Sequence, residues 1–348
     1  MKGGSVTVSE QTRRLRKQGW YGVKKHVKTA LSQPLLHPLM RAVALRSPGL
    51  AVRRLPAPRS LREVRGHVTE AEFVMLRPDR CEIAKEMYWG GGTRPDPRDR
   101  FALELVTRLS QDARVLLDVG AYTGVFSLAA AAANPALRVL AFDIVPPVVR
   151  MLEANVVRNR MQSRVQVRGF GVGDPEATMH MPSADRGPAL PSFYSQEMDF
   201  ANGVDVGFVS LDSLTDEVEE IVEAAPSDAE AGPAEEAGAE AGAAESAVPS
   251  SGASVVMKID VEGGETEVFA HGQRFLARFA PDMLCEVLPG ADAMGLEEQL
   301  APHGMRFYAV GESWLEERER IAPEESFRDW FFTTRGPEEL RGLDIDVR

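Results

Sequence analysis

Cysteine is nearly absent from this chain. Its 348 residues contain only Cys81 and Cys285, neither in a metal-ligand spacing. That excludes a disulfide framework and a zinc centre, and the sequence assigns no metal. Long apolar runs are missing too. The longest charge-free run, between Asp118 and Arg138, contains Gly120, Gly124 and Asn134-Pro135, so it is a loop plus a buried helix and not a membrane span. No apolar stretch followed by a small-residue cleavage site follows the basic N-terminus, which argues against a secretory signal and for a cytoplasmic location. Neither a Gly-x-Gly-x-x-Gly fingerprint nor a Gly-Lys-Ser/Thr phosphate loop occurs after the first core strand, so pyrophosphate is a poor ligand for it.

The charge that is present is unevenly spread. Residues 1–60 hold thirteen Lys and Arg against Glu10 alone, while the other 288 residues carry a net charge of −24. Basic clusters at Arg13-Arg14-Leu15-Arg16-Lys17 and Lys24-Lys25, with apolar residues between prolines, predict a basic helical arm over 1–60. Such an arm suits an anionic membrane surface, nucleic acid, or the acidic body of its own chain. Residues 61–110 are expected to be a helical lead-in, with helices over Cys81–Trp89 and Phe101–Leu109. Tyr88 and Trp89 beside Gly90-Gly91-Gly92 are either part of a lid or core packing.

The rest of the chain is organised around Val115-Leu-Leu-Asp-Val-Gly-Ala-Tyr-Thr-Gly-Val-Phe126. A buried strand ends near Asp118, and a loop through Gly120 and Gly124 enters a helix predicted over Val125–Ala133. Ligands of doubly wound sheets lie beyond such strand ends. An acid before a glycine loop suits a ligand with positive charge and hydrogen-bond donors. S-adenosylmethionine (SAM) has an ammonium, a sulfonium and ribose hydroxyls, and glycines let backbone approach it closely. A second strand, Arg138–Phe142, ends in Asp143, where a carboxylate accepts ribose hydroxyls. Pro146-Pro147 open a helix containing Asn155, and Val165–Val167 form a third strand before a glycine turn that includes Gly171.

Val204–Val209 is predicted as a strand. From 215 to 254 there are eleven acids and no Lys or Arg, which predicts a disordered acidic insertion. A fourth buried strand then ends at Asp260, with Glu262, Gly263 and Gly264 next and a helix to about Arg278. Further strands are Met283–Val287, Arg306–Val310 and an antiparallel Trp330–Thr333. The fold class is α/β: a doubly wound, mostly parallel seven-stranded sheet with a helical N-terminal extension, residues 111–348 forming the main domain.

Three blocks, Leu117-Asp-Val-Gly-Ala-Tyr-Thr-Gly124, Leu211-Asp-Ser-Leu214 and Lys258-Ile-Asp-Val-Glu-Gly-Gly-Glu265, resemble the FkbM-type family of SAM-dependent methyltransferases over about residues 80–335. The resemblance implies a class I, Rossmann-like methyltransferase fold, SAM as cofactor, and a hydroxylated acceptor such as a sugar or polyketide. It places cofactor contacts on Asp118, Gly120, Ala121 and Asp143, with Tyr122 and Gly124 in the same block, and site roles on Asp260 and Glu262. The family more often has Glu where Asp143 stands, and it lacks the acidic insertion.

For the base or acceptor-orienting group, the order of preference is Asp260, Glu262, then Lys258. His271 and His303 are the histidines that could reach the cleft. Two alternatives stay open: an RNA acceptor delivered by the basic arm, against which the −24 body argues, and a binding module without turnover. Oligomeric state is not legible.

Overall fold

The computed structural model describes residues 55–183, 203–224, 254–324 and 326–348. The basic arm expected over 1–60 lies outside them except for its last six residues, as does the acidic segment 225–253.

The described chain opens with a hairpin, β1 (Glu63–Val68) and β2 (Ala71–Leu76), paired antiparallel with Val68 opposite Ala71. This corrects the helical lead-in expected from residue 61. Val64 and Val68 face inward while Glu63, Arg65 and His67 face out, a period of two that only a strand can satisfy. Two helices follow: α1 (Glu82–Trp89), capped by the Cys81 thiol, and α2 (Pro97–Leu109), capped by Asp96 with Pro97 in its first turn.

The alternating core then begins. Strand β3 (Val115–Val119) leads into α3 (Val125–Ala133), β4 (Arg138–Phe142) into α4 (Pro146–Arg158), and β5 (Val165–Arg168) follows. Three short strands, β6 (Gly171–Val172), β7 (Thr178–Pro182) and β8 (Gly203–Val209), make a separate small sheet in the order β6-β8-β7. Helix α5 covers Thr215–Glu223, so the first nine residues of the expected insertion are ordered helix. Thr215 and Val218 are buried, which supplies the apolar anchorage that the composition of the segment as a whole hides.

Strand β9 (Val255–Ile259) precedes two short helices, α6 (Glu265–Ala270) and α7 (Gln273–Phe279), where one helix was expected. His271 and Gly272 break it, and a side chain at Gly272 would meet Leu211 at 2.6 Å. Then come β10 (Asp282–Glu286), α8 (Ala293–Leu300), β11 (Arg306–Val310), β12 (Leu315–Arg318), β13 (Asp329–Thr333) and α9 (Pro337–Gly342).

The main sheet has eight strands in the order β12-β11-β13-β10-β9-β3-β4-β5. The expected seven are all present, and β12 adds an eighth at one edge by pairing antiparallel with β11. Strands β10, β9, β3, β4 and β5 are parallel neighbours, and β13 pairs antiparallel with both β10 and β11. Both faces are covered. Leu116, Val139, Ala141 and Val256 share one core with α2, α3 and α4, while Val115, Leu117, Leu140 and Met257 share the other with α5–α8. Each fully buried leucine contributes about 1.5–3 kcal/mol. Among the described residues no helix is long and apolar enough to cross a membrane.

Candidate active site

The order β4-β3-β9 puts three strand ends side by side, and the loops that leave them are knitted together. Gly120 and Ala121 donate backbone N–H to Phe142 O at 3.0 and 2.8 Å, and Asp260 N–H donates to Val119 O at 3.0 Å. Gly120, at φ +74°, runs so close to the next loop that a Cβ there would lie 1.7 Å from Asp260 O. No other residue fits.

Beside these loops is a cavity of about 470 Å³. Its lining includes Gly120, Tyr122, Asp143, Gly171, Asp174, Asp260 and Glu262. The apolar part of the lining is formed by Val145, Val148, Phe170, Met179 and Phe208. Size and mixed lining fit a small-molecule pocket.

Six of the sequence-predicted residues line this cavity: Gly120, Tyr122, Asp143, Gly171, Asp260 and Glu262. Four do not line it: Asp118, Ala121, Gly124 and Lys258. Asp118, assigned to the cofactor, is fully buried behind the loop. Its Oδ2 accepts from Ser127 N–H at 3.1 Å and Ser127 Oγ at 2.6 Å, so it fixes the first turn of α3. Burial raises its pKa, with Lys258 and Ser127 opposing. Ala121 is buried, and Gly124 is the left-handed residue that caps α3, where a Cβ would strike Leu152 at 2.3 Å.

Lys258, the third choice of base, is a strut. Its Nζ donates to Gly120 O at 2.9 Å and to Asp260 Oδ2 at 3.2 Å, and it lies 5.3 Å from the centre of the Phe126 ring. Burial works against its charge, but Asp260 and Asp118 outweigh that and hold its pKa above the ordinary lysine value. A lysine held protonated cannot take a proton.

Asp143 lines the cavity. Its Oδ2 accepts from Tyr122 N–H and its Oδ1 from Val145 N–H, each at 2.9 Å, which fixes the carboxylate at the cavity wall. Burial pushes its pKa up to about 6 against the pull of those two amides. Each oxygen keeps a lone pair for an incoming hydroxyl. Tyr122 takes φ +50° to deliver its amide. Asn155 braces from behind: Nδ2 donates to Thr123 O and Oδ1 accepts from Leu76 N–H, both at 2.8 Å.

Beside Asp260 and Glu262 stand two further acids, Glu286 from β10 and Asp329 from β13. Asp260, Glu262 and Glu286 bring one carboxylate oxygen each to within 4.8 Å of one another, close enough for one cation. Glu286 stands directly opposite Asp329 in the β10–β13 pair. Arg328 donates to Glu286. Even so, burial and the carboxylates of Asp260, Asp329 and Glu262 push Glu286 up to about 8. Burial, with Asp99 and Asp260, pushes Asp329 to about 7. Glu262, at φ +54°, is raised by burial and then by Asp260.

Several expected contacts are elsewhere. Trp89 is buried and Tyr88 packs edge-on against it at 5.2 Å; neither lines the cavity, so packing replaces the lid. His303 bonds to Gln273, and His271 lies 3.9 Å from Asp174 outside the lining. Cys81 and Cys285 are free and buried. The apolar wall was missed: Met179 and Phe208 come from β7 and β8, and nothing in their local pattern marks them as pocket residues.

Residues 84–181 match the family model of ribosomal protein L11 methyltransferase (PrmA). The ribosomal protein L11 methyltransferase of Chloroflexus aurantiacus is 39% identical over 100 residues, 29% of this chain and 30% of that protein. The AMB antimetabolite synthetase AmbE of Pseudomonas aeruginosa is 47% identical over 62 residues, 18% of this chain and 3% of that protein. The chain thus spans less than a third of the curated relatives it matches. Among solved structures, the methyltransferase FkbM from Methylobacillus flagellatus aligns at TM-score 0.34 and 13% identity, covering 72% of this chain and 53% of that one. The family model and the sheet order agree on the fold, α/β and Rossmann-like with a mostly parallel sheet: that of the class I methyltransferases, whose methyl donor is SAM.

Proposed function

We propose that this chain is a SAM-dependent methyltransferase, with the donor in the cavity between the ends of β3, β4 and β9. The observation that carries this is Asp143, held by two backbone amides in a cavity lining that it shares with Gly120 and Asp260, whose loops meet there. The residues fit the donor's chemistry. Asp143 has free lone pairs for two ribose hydroxyls, and Val145, Val148, Phe170, Met179 and Phe208 offer a dry wall to a base. Glu262 presents a carboxyl group to a sulfonium or ammonium. SAM, when bound, supplies a methyl group on positively charged sulfur, whose bonding pair departs with the sulfur. The chain's share is positioning: the loops hold the donor while Asp260 orients the acceptor atom in line with it.

The family match includes Gly120, Asp143 and Gly171 but stops short of Asp260, so it supports the donor half and leaves the acceptor open. The hydroxyl acceptor expected at first rests on the FkbM resemblance alone. An RNA acceptor would have to approach a carboxylate cluster that repels phosphate.

Calorimetry with SAM tests the reading. The intact chain should bind SAM, Asp143→Ala should lose at least about tenfold in affinity, the equivalent of one charge-assisted hydrogen bond, and Asp260→Ala should keep binding while losing turnover. Absence of binding to the intact chain would remove the proposal.

A further inference from the structure

The small sheet beside the cavity carries an aromatic side chain that neither core uses. In β8 the alternation along Gly203–Val209 puts Val204, Val206 and Phe208 on one face and Asp205 and Gly207 on the other. Val206 is buried, whereas Phe208 is only half-buried and belongs to neither of the two cores that flank the main sheet. Phe142 and Phe170, which also line the cavity, pack edge-on against each other at 5.7 Å. Among the described residues no ring does the same for Phe208.

What seats the ring is a glycine. Gly171 of β6 stands directly opposite Phe208 in the parallel pair, and a Cβ there would lie 2.2 Å from Phe208 Cε1 and 2.3 Å from Cδ1. Any side chain at 171 would therefore push the ring off its seat. With glycine the ring rests against the β6 backbone and lines the cavity. An aromatic side chain without a core partner, held at a cavity wall, offers its π face to a planar ligand. Val145, Val148 and Met179 complete an apolar slot around it, in which stacking and the release of water do the holding.

From this we infer that Phe208, seated by Gly171, is the platform on which the donor's adenine stacks; the inference rests on the donor reading above and gives the donor a direction. With the base on Phe208 and the ribose hydroxyls on Asp143, the sulfur, attached on the other side of the ribose, points toward the Gly120 and Asp260 end of the lining. The family match ends at residue 181, ahead of β8, so this contact comes from a part of the chain that the match does not cover.

Calorimetry on the full chain with two ligands tests this: S-adenosylhomocysteine, which is the donor without its methyl group, and methylthioadenosine, which keeps the base and ribose but lacks the amino-acid end. Phe208→Ala should weaken both by the same factor, at least about fivefold, because the lost contact is to the part they share. Phe208→Leu, apolar but without a π face, should show most of that loss, and Phe208→Tyr should bind as the intact chain does, so the outcome does not hang on one variant folding. Gly171→Ala should weaken both ligands in the intact chain and add nothing once Phe208 is alanine, because the added methyl then meets no ring. Unchanged methylthioadenosine affinity in Phe208→Ala, or a loss confined to S-adenosylhomocysteine, overturns the inference and leaves the donor reading standing. Additive losses from the two alanine changes, or full affinity in Phe208→Leu, overturn it as well. Failure of the intact chain to bind either ligand removes the donor reading itself.

Discussion

Single residues at the cavity make two sharp predictions. Asp143 carries a pKa near 6 against an ordinary 3.8. Its ionised form, able to accept two hydroxyls, is therefore depleted as pH falls through about 6. SAM affinity should be level above pH 7 and decline below 6, approaching ~tenfold per unit, while Asp143→Asn should bind weakly and without that slope; isothermal titration at four pH values reads both. Gly120 combines a positive φ with a 1.7 Å approach to Asp260 O. Gly120→Ala should cost on the order of 3 kcal/mol or more, seen as a lower urea midpoint, with loss of SAM binding. Both residues were legible in the sequence, one as the acid ending a strand and the other as the first loop glycine. Asp118 shows the limit. Its position in the motif was readable, but which way a strand-end side chain turns depends on Ser127 in the following helix.

At the level of elements, α4 ties the N-terminal hairpin to the donor loop. Asn155 and Asn159, one turn apart, satisfy the edge of β2 by accepting from Leu76 N–H and Val74 N–H, each at 2.8 Å, and Asn155 also holds Thr123 O. Asn155→Ala would leave two backbone groups without partners and should cost about 2–4 kcal/mol in chemical unfolding. SAM affinity should fall with it, because Thr123 lies between Tyr122 and the Gly124 cap. The parallel strands and α3 were predictable from apolar runs bounded by glycine and proline. The hairpin was equally legible in the alternation of its two strands. Strand β8 was legible too, as the run 204–209, but its pairing with β6 and β7 was not, because β6 has only two residues and both partners lie well upstream of β8 in the chain.

For the molecule as a whole, the acids beside Asp260 should leave a mark on stability. The folded-state values of Glu286 and Asp329, about 8 and 7, lie above their ordinary values of 4.5 and 3.8. The folded chain therefore holds protons that the unfolded chain has released. Their stabilising contribution is complete below the unfolded values and is lost as pH rises through 7 to 8. Unfolding free energy should drop by at least about 1 kcal/mol between pH 6 and pH 9, and Glu286→Gln should flatten the drop. A curve that rises over that range would contradict the charge assignment.

The sequence by itself determined the parallel strands of the main sheet, the helices α3 and α4 between them and the glycine loop after β3. Apolar periodicity, glycines and prolines act over a few residues and can be read in order along the chain. Only the tertiary structure decided that Asp260, Glu286 and Asp329, spread over 70 positions, stand in one row, that Asp118 and Lys258 brace the loop from behind, and that Phe208 closes the cavity. Those outcomes depend on register between distant strands and on which side chains then compete for the same buried space.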